Sequence, residues 1–466
     1  MIKYTSGAYG IQALLRFHGS AAYKALLPSL FSVLVYVVLD MVTALNYDPD
    51  MVQHPYALGA LIVAFTFLLS FKATFSYNRY WEAVTAVHQM HSKWLDVGMN
   101  LVSFHLQSDI YKKKPPAFGQ HPELNVYRDG KRNYRSSKEV EDKLDQGRRE
   151  TILKAFVPKG IIRNTDENEE GERNGSVEEE KTCTNLQNVY LPTADNPIDL
   201  KTKTPSPFLQ EAAHLLSLLS AVAMSTLRND VEAAESPLAT FYRGDPWPAV
   251  DPDSRDAQIR DKWSTDWHCW VVFRYLLGMA RTDRDRTLYN AARPFRVIGG
   301  VSDSEIKLLQ AARGAFAKVA LVSLWLQEFI SREYLNGSTG KVGPPIISRL
   351  FQFTSDGMLG YNQARKVAFI PFPFPHAQIT ALFVLVMLFI VPILVLIFAT
   401  NVYFGAVLNF FIIMCFFGLH EVSRELENPF QSVPNDIPLN NFQAQFNEAL
   451  MNMFAGYHPD SWDWTT

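Results

Sequence analysis

The chain predicts an all-α membrane protein, with four transmembrane helices joined to a helical cytosolic domain. Three observations carry this. Segments 26–45, 55–75, 376–400 and 402–419 are apolar over about the ~20 residues that a helix needs to cross a bilayer. Much of the polar sequence between them repeats apolar residues at three- and four-residue spacing, the mark of amphipathic helices. Strand alternation and βαβ spacing are absent.

The organising stretch is Pro55–Phe75, PYALGALIVAFTFLLSFKATF, whose one formal charge, Lys72, lies near its far end. The sequence continues without a proline until Pro115. Trp81, Val84, Val87, His91, Trp94 or Leu95, Gly98 and Leu101 recur along it, so one helix leaves the bilayer and runs on into water with an apolar seam. Val63, Phe67 and Phe71, four apart, share a stripe. Gly59, Ala60, Ala64 and Ser70 permit close approach of a neighbouring backbone. A stripe of this kind ordinarily faces lipid or another helix. If several copies surround an axis, the same stripe becomes a narrow hydrophobic pore, and spacing does not choose between the two.

The other elements follow in order. Residues 1–25 interleave aliphatic and basic side chains, as an interfacial helix does, and carry no secretory-signal pattern. Asp40, near the end of the first span, belongs at the interface because a carboxylate is costly in lipid. The connection 46–54 carries Asp48 and Asp50 and no Lys or Arg, whereas Lys3, Arg16, Lys24, Lys72, Arg79 and Lys93 lie on the other side. By the positive-inside rule both termini sit on the cytoplasmic or stromal side. Residues 109–205 are basic and then acidic, the composition of a disordered insertion. Helices are expected from Phe208 (buried in protein despite its apolar character), over 263–281, over 303–336 with Asp303 as N-cap, and over 346–368. Pro371, Pro373 and Pro375 then restart the chain into the last two spans, Pro392 marking a kink. The predicted divisions are an interfacial segment 1–25, two spans with a helical extension 26–108, the insertion 109–205, a cytosolic domain 206–370, two spans 371–424 and a tail 425–466.

Composition excludes several functions. A net charge of -3 does not suit a nucleic-acid binder. Cys183, Cys269 and Cys415 are odd in number and far apart, which excludes a disulfide framework. No nucleophile elbow, P-loop or zincin motif occurs. His88 and His91 are three apart, but His18, His54, His105, His214 and His420 do not complete the histidine boxes of a membrane oxidase. No enzyme, metal or cofactor is therefore expected. Arg79 and Glu82, three apart, have the spacing of a structural ion pair. The stretch around Asn428-Pro429 and Pro434-Asn435-Asp436 reads as a helix end and turn rather than a cation loop.

Several of these motifs coincide in one family. PYALGALIVAFTFLLSFKATFSYNRYWEA resembles the second spanning helix of bestrophins of the bacterial, plant and algal branch. Phe17-His18-Gly19-Ser20 is similar to the short motif that the family carries before its first span. Arg424-Glu425-Leu426-Glu427-Asn428-Pro429-Phe430, with Pro434–Leu439, resembles its C-terminal signature. The resemblance covers roughly residues 14–105 and 300–455 and implies a homopentameric, usually anion-conducting channel in a lipid bilayer, with chloride or bicarbonate as permeant ion. It sets the hydrophobic neck on Val63, Phe67 and Phe71, a basic residue beside the pore at Lys72, and a cytosolic aperture at Ile346. Arg79, Glu82, Asn428, Pro429, Phe430, Asn435 and Asp436 become structural motif residues. QSVPND stands where animal relatives carry the acidic run that clasps calcium. The rival reading is a non-conducting membrane scaffold that recruits soluble partners.

Overall fold

The computed structural model describes residues 19–46, 56–106, 108, 207–228, 238–241, 248, 293–431 and 435–454. Most of the N-terminal segment, the connection 47–55, the insertion 109–205, the helix expected over 263–281 and the end of the tail lie outside the described residues. The chain divides into two units, and the division falls after Val87 and after Tyr361. Both cuts lie inside continuous helices, α2 (Tyr56–Leu106) and α6 (Pro344–Phe369).

The first unit contains α1 (Ala21–Asn46), the first part of α2, the end of α6, α7 (Phe374–Phe398) and α8 (Val402–Leu426). Pro373 caps α7 and Pro375 lies in its first turn, where a missing N–H costs nothing. Asn401 starts α8: its side-chain oxygen accepts from the Tyr403 and Phe404 backbone N–H groups. α1 packs against α7 and α8, which also pack on each other. Tyr36, Phe65, Leu69, Met387, Val391 and Ile413 are buried in their shared core. A Cβ on Gly405 would come 2.1 Å from the Tyr36 hydroxyl oxygen, so only glycine lets α8 come this close to α1. In the same buried layer Asn409 Nδ2 donates to Ser32 Oγ at 3.1 Å, and Ser32 donates to the Leu388 carbonyl at 3.1 Å. Apolar surroundings make such a bond hard to replace.

The second unit contains the rest of α2, α3 (Pro207–Leu227), β1 (Leu238–Phe241), β2 (Phe295–Ile298), α4 (Asp303–Ala311), α5 (Ala315–Leu335), the first part of α6 and α9 (Leu439–Phe454). α3 is long and apolar enough to span a membrane, yet 94% of its apolar window is buried in the protein. It packs against α5, α9 and β2. As expected, its hydrophobicity serves a protein core.

Two expectations are corrected here. The chain does contain strands: β1 pairs with β2 in parallel, Leu238 opposite Phe295. Four residues are too few to alternate visibly, and Phe295, Val297 and Ile298 are all buried. The helix expected over 303–336 is two. Ala312 adopts an extended conformation and Gly314 has φ 88, a left-handed region that breaks a right-handed helix. Its N-cap is Ser302 rather than Asp303. The Ser302 hydroxyl oxygen accepts from the Glu305 N–H at 3.3 Å, while the Glu305 carboxylate accepts from the Ser302 N–H at 2.9 Å, a closed capping box.

Along the second half of α2, Val87, Met90, His91, Trp94, Val97 and Leu101 are buried, the predicted seam. Trp81, assigned to that seam, is instead exposed, and Tyr80 and Ala83 take the buried side. Trp94 packs closely against Gly357 of α6, where a Cβ would meet its ring nitrogen at 2.2 Å. His91 Nε2 pairs with Ser220 Oγ at 3.0 Å, and its ring stacks on Phe446. His88 rests on Phe442. Of the two histidines considered as a metal pair, His91 is thus a packing residue and His88 lies exposed against a phenyl ring.

Burial, reinforced by neighbouring His88, pushes the His91 pKa down to about 3. An unfolded imidazole titrates near ~6.5. Between those values the unfolded chain binds a proton that the folded one refuses, so stability falls as pH falls. The slope is about 1.4 kcal/mol per pH unit, or about 2 kcal/mol between roughly pH 6.5 and 5. The H91Q variant should lose less thermal stability than the unsubstituted protein over that interval in detergent. Equal slopes would show that His91 accepts its proton at no cost.

Candidate pore-lining face and the cluster that anchors it

α2 presents two different sides within the first unit. Phe65, Leu69, Lys72, Ser76, Tyr80 and Ala83 are buried. Phe65 lies 5.3 Å from Phe416 and 6.1 Å from Phe383, ring centroid to ring centroid, which fixes the rotation of the helix against α7 and α8. Val63, Phe67 and Phe71 therefore point away from the unit's own core, 68%, 65% and 46% exposed. Phe67 and Phe71 meet edge to face at 4.7 Å, and Phe75 continues the row at 6.4 Å from Phe71.

This outward face is not purely apolar. Thr66, Ser70, Thr74 and Asn78 are exposed beside the rings. On α7, by contrast, the large side chains that stand out are Leu382, Leu385, Phe389 and Ile393. Polar groups are expensive against lipid tails. The mixed face of α2 is suited to water or to a polar neighbour, and that of α7 to lipid.

Lys72 is placed differently from the sequence expectation. Its side chain is 3% exposed and its ammonium sits 2.9 Å from Glu427 Oε1. It lies on the buried side of α2, and its charge is neutralised there rather than offered to a pore. Arg79 does not take up the pairing with Glu82 that its spacing allows. Its guanidinium donates to the backbone carbonyls of Glu427 at 3.0 Å, Val367 at 3.0 Å and Ile370 at 2.7 Å, so it seals the ends of α6 and α8. Glu82 pairs with Lys366 at the surface.

The C-terminal signature builds the rest of this cluster. Lys24 of α1 bonds to Glu425 and lies 3.8 Å from Glu421, which Arg424 also holds at 2.7 Å. Asn435 Nδ2 donates to Glu425 Oε2 at 2.6 Å and to the Gly19 carbonyl at 2.9 Å. Asn428 Oδ1 accepts from the Phe430 N–H at 3.3 Å, and the Ile437 N–H reaches the Pro429 carbonyl at 3.1 Å. Phe430 and Asp436 are buried. Pro429 is thus part of a compact turn, and the motif residues act as joinery between α1, α2 and α8. Sequence reasoning named most of them but missed Lys24, Glu421 and Glu425 as a set. A lysine at the head of an apolar run needs a carboxylate, and only three acidic residues follow the last span closely enough, Glu421, Glu425 and Glu427.

Ile346, in the second unit, lies in the first turn of α6 behind Pro344 and Pro345 and is 50% exposed. Its neighbour Ile347 is buried.

With long apolar helices that expose their hydrophobic faces, the molecule is an integral membrane protein of predominantly helical build. The family model described as bacterial/fungal bestrophin protein matches residues 272–452, which span β2 to α9, and the chain resembles that family. Among solved structures, a variant of a bacterial bestrophin homologue from Klebsiella pneumoniae is similar at 13% identity and TM-score 0.46, covering 93% of this chain and 98% of that one. A second crystal structure of that homologue is 14% identical with TM-score 0.46, over 94% and 99% of the two chains. No curated protein sequence matches.

Proposed function

We propose that the protein is an anion channel of the bestrophin kind. It assembles as a homopentamer around the outward face of α2 and conducts chloride, bicarbonate or both passively. Val63, Phe67 and Phe71 form its neck, and Ile346 marks a second, cytosolic constriction. Four helices, α1, the first part of α2, α7 and α8, cross the membrane, and both termini lie on the cytoplasmic or stromal side. The observation that carries the reading is the character of that one face. It combines aromatic rings with hydroxyl and amide groups, and it is turned away from the chain's own core. Phenyl edges are electropositive and tolerate a partly dehydrated anion without a fixed charge, and an apolar ring of this kind can gate by dewetting. No catalytic or cofactor chemistry is assigned to the protein.

The test is flux. Purified protein in liposomes should dissipate a chloride gradient, and currents with chloride and bicarbonate on opposite sides should report their relative permeability. Liposomes that stay tight to both ions would leave the membrane scaffold as the better account.

A further inference from the structure

Resting on the channel reading, we propose that the Asn78 carboxamide is the station where a small monovalent anion finds hydrogen-bond donors on leaving the phenyl neck. The pairing of Lys72 with Glu427 raises the question of what takes that part, because the lysine at the inner end of the neck has no surplus charge to offer.

Helix geometry brings Asn78 into line with the neck. It lies seven residues beyond Phe71 and eleven beyond Phe67, close to two and three turns at 3.6 residues per turn. It is therefore on the same side of α2, about 10 Å further along the axis than Phe71 at ~1.5 Å per residue. Like the rings it is exposed, between buried Ser76 and buried Tyr80. Thr85, a further two turns on, is exposed as well, so the face does not close off below Asn78.

The threonine hydroxyls beside the rings are already committed. Thr66 donates to the Ile62 carbonyl at 2.8 Å and Thr74 to the Ser70 carbonyl at 3.0 Å. Asn78 makes no hydrogen bond with any other described residue, so both its amide protons are available to a visitor. The next carboxylate on this side, Glu82, is held by Lys366 and does not present an uncompensated negative charge. A neutral donor suits a conduction path. It recovers part of the hydration that the rings stripped away, and it holds the ion weakly enough to let it go.

The experiment measures the chloride-to-sodium permeability ratio from reversal potentials in planar bilayers, for the unsubstituted protein and for N78Q, N78L and N78D. N78Q keeps the donors and should retain the ratio. N78L removes them and should lower it by roughly fivefold or more, the scale of one hydrogen bond to an ion. N78D should lower it further. A ratio unchanged in N78L overturns the proposal, and so does a ratio that responds to N78D alone, which would be a field effect without donation. If the unsubstituted protein carries no current at all, it is the channel reading that fails. Should N78D fail to fold, N78L and N78Q still decide.

Discussion

Alanine at both Phe67 and Phe71 should convert a narrow, selective conductance into a wider and less discriminating one. The two rings touch at 4.7 Å and stand 65% and 46% exposed, so they are not needed to fill the chain's own core. Their loss leaves the packing of Phe65 against Phe416 and Phe383 in place. The dewetting barrier disappears with them, and each ~1.4 kcal/mol removed from a barrier is roughly tenfold in rate. Single-channel recordings of the double variant should show larger chloride currents, less rejection of sodium and passage of larger organic anions. Identical currents would take this face out of the conduction path, whatever the family resemblance implies.

The second large effect concerns stability. Changing Glu427 to glutamine should destabilise the first unit by about 3 kcal/mol, because it strands a buried ammonium without its counter-charge. Lys72 is 3% exposed and Glu427 21%, so the two partners are not equivalent. K72M leaves a carboxylate that water can reach and should cost less than E427Q. The double variant K72M/E427Q should recover most of the stability that E427Q loses. Thermal unfolding in detergent checks this order. If E427Q were as stable as the unsubstituted protein, Lys72 would have to be reaching water by another route.

The reason these two sites differ bears on what could be read from sequence. The common face of Val63, Phe67 and Phe71 was legible because a four-residue repeat survives any packing, and its exposure follows once Phe65 and Leu69 take the inside. The long apolar helices were legible from their length, and the burial of α3 from the charged and polar residues in its apolar run. Lys72 was misread because sequence distance hides a partner 355 positions away, and a basic residue after a neck looks the same whether it faces a lumen or a glutamate. The break before Gly314 was missed because apolar periodicity continues on both sides of it, and a glycine inside a helical pattern is often tolerated. The capping box at Ser302 was there to be found, Ser-x-x-Glu ahead of an apolar run, and Asp303 drew attention one residue too far. The strands were hidden by brevity: four residues give two periods of alternation, too little to rise above chance.

The clasp between Lys24 and Glu425 has a bearing on how the protein is made. These residues are 401 positions apart, and Asn435 reaches back 416 positions to the Gly19 carbonyl. The head of the first helix therefore leaves the ribosome long before its carboxylates exist, and must rest in the bilayer with a provisional arrangement until the end of α8 has been made. The first helix gains its partners only once the end of α8 and the turn after it have been made, so a message cut short just before Glu421 would leave long apolar helices with no latch to close them.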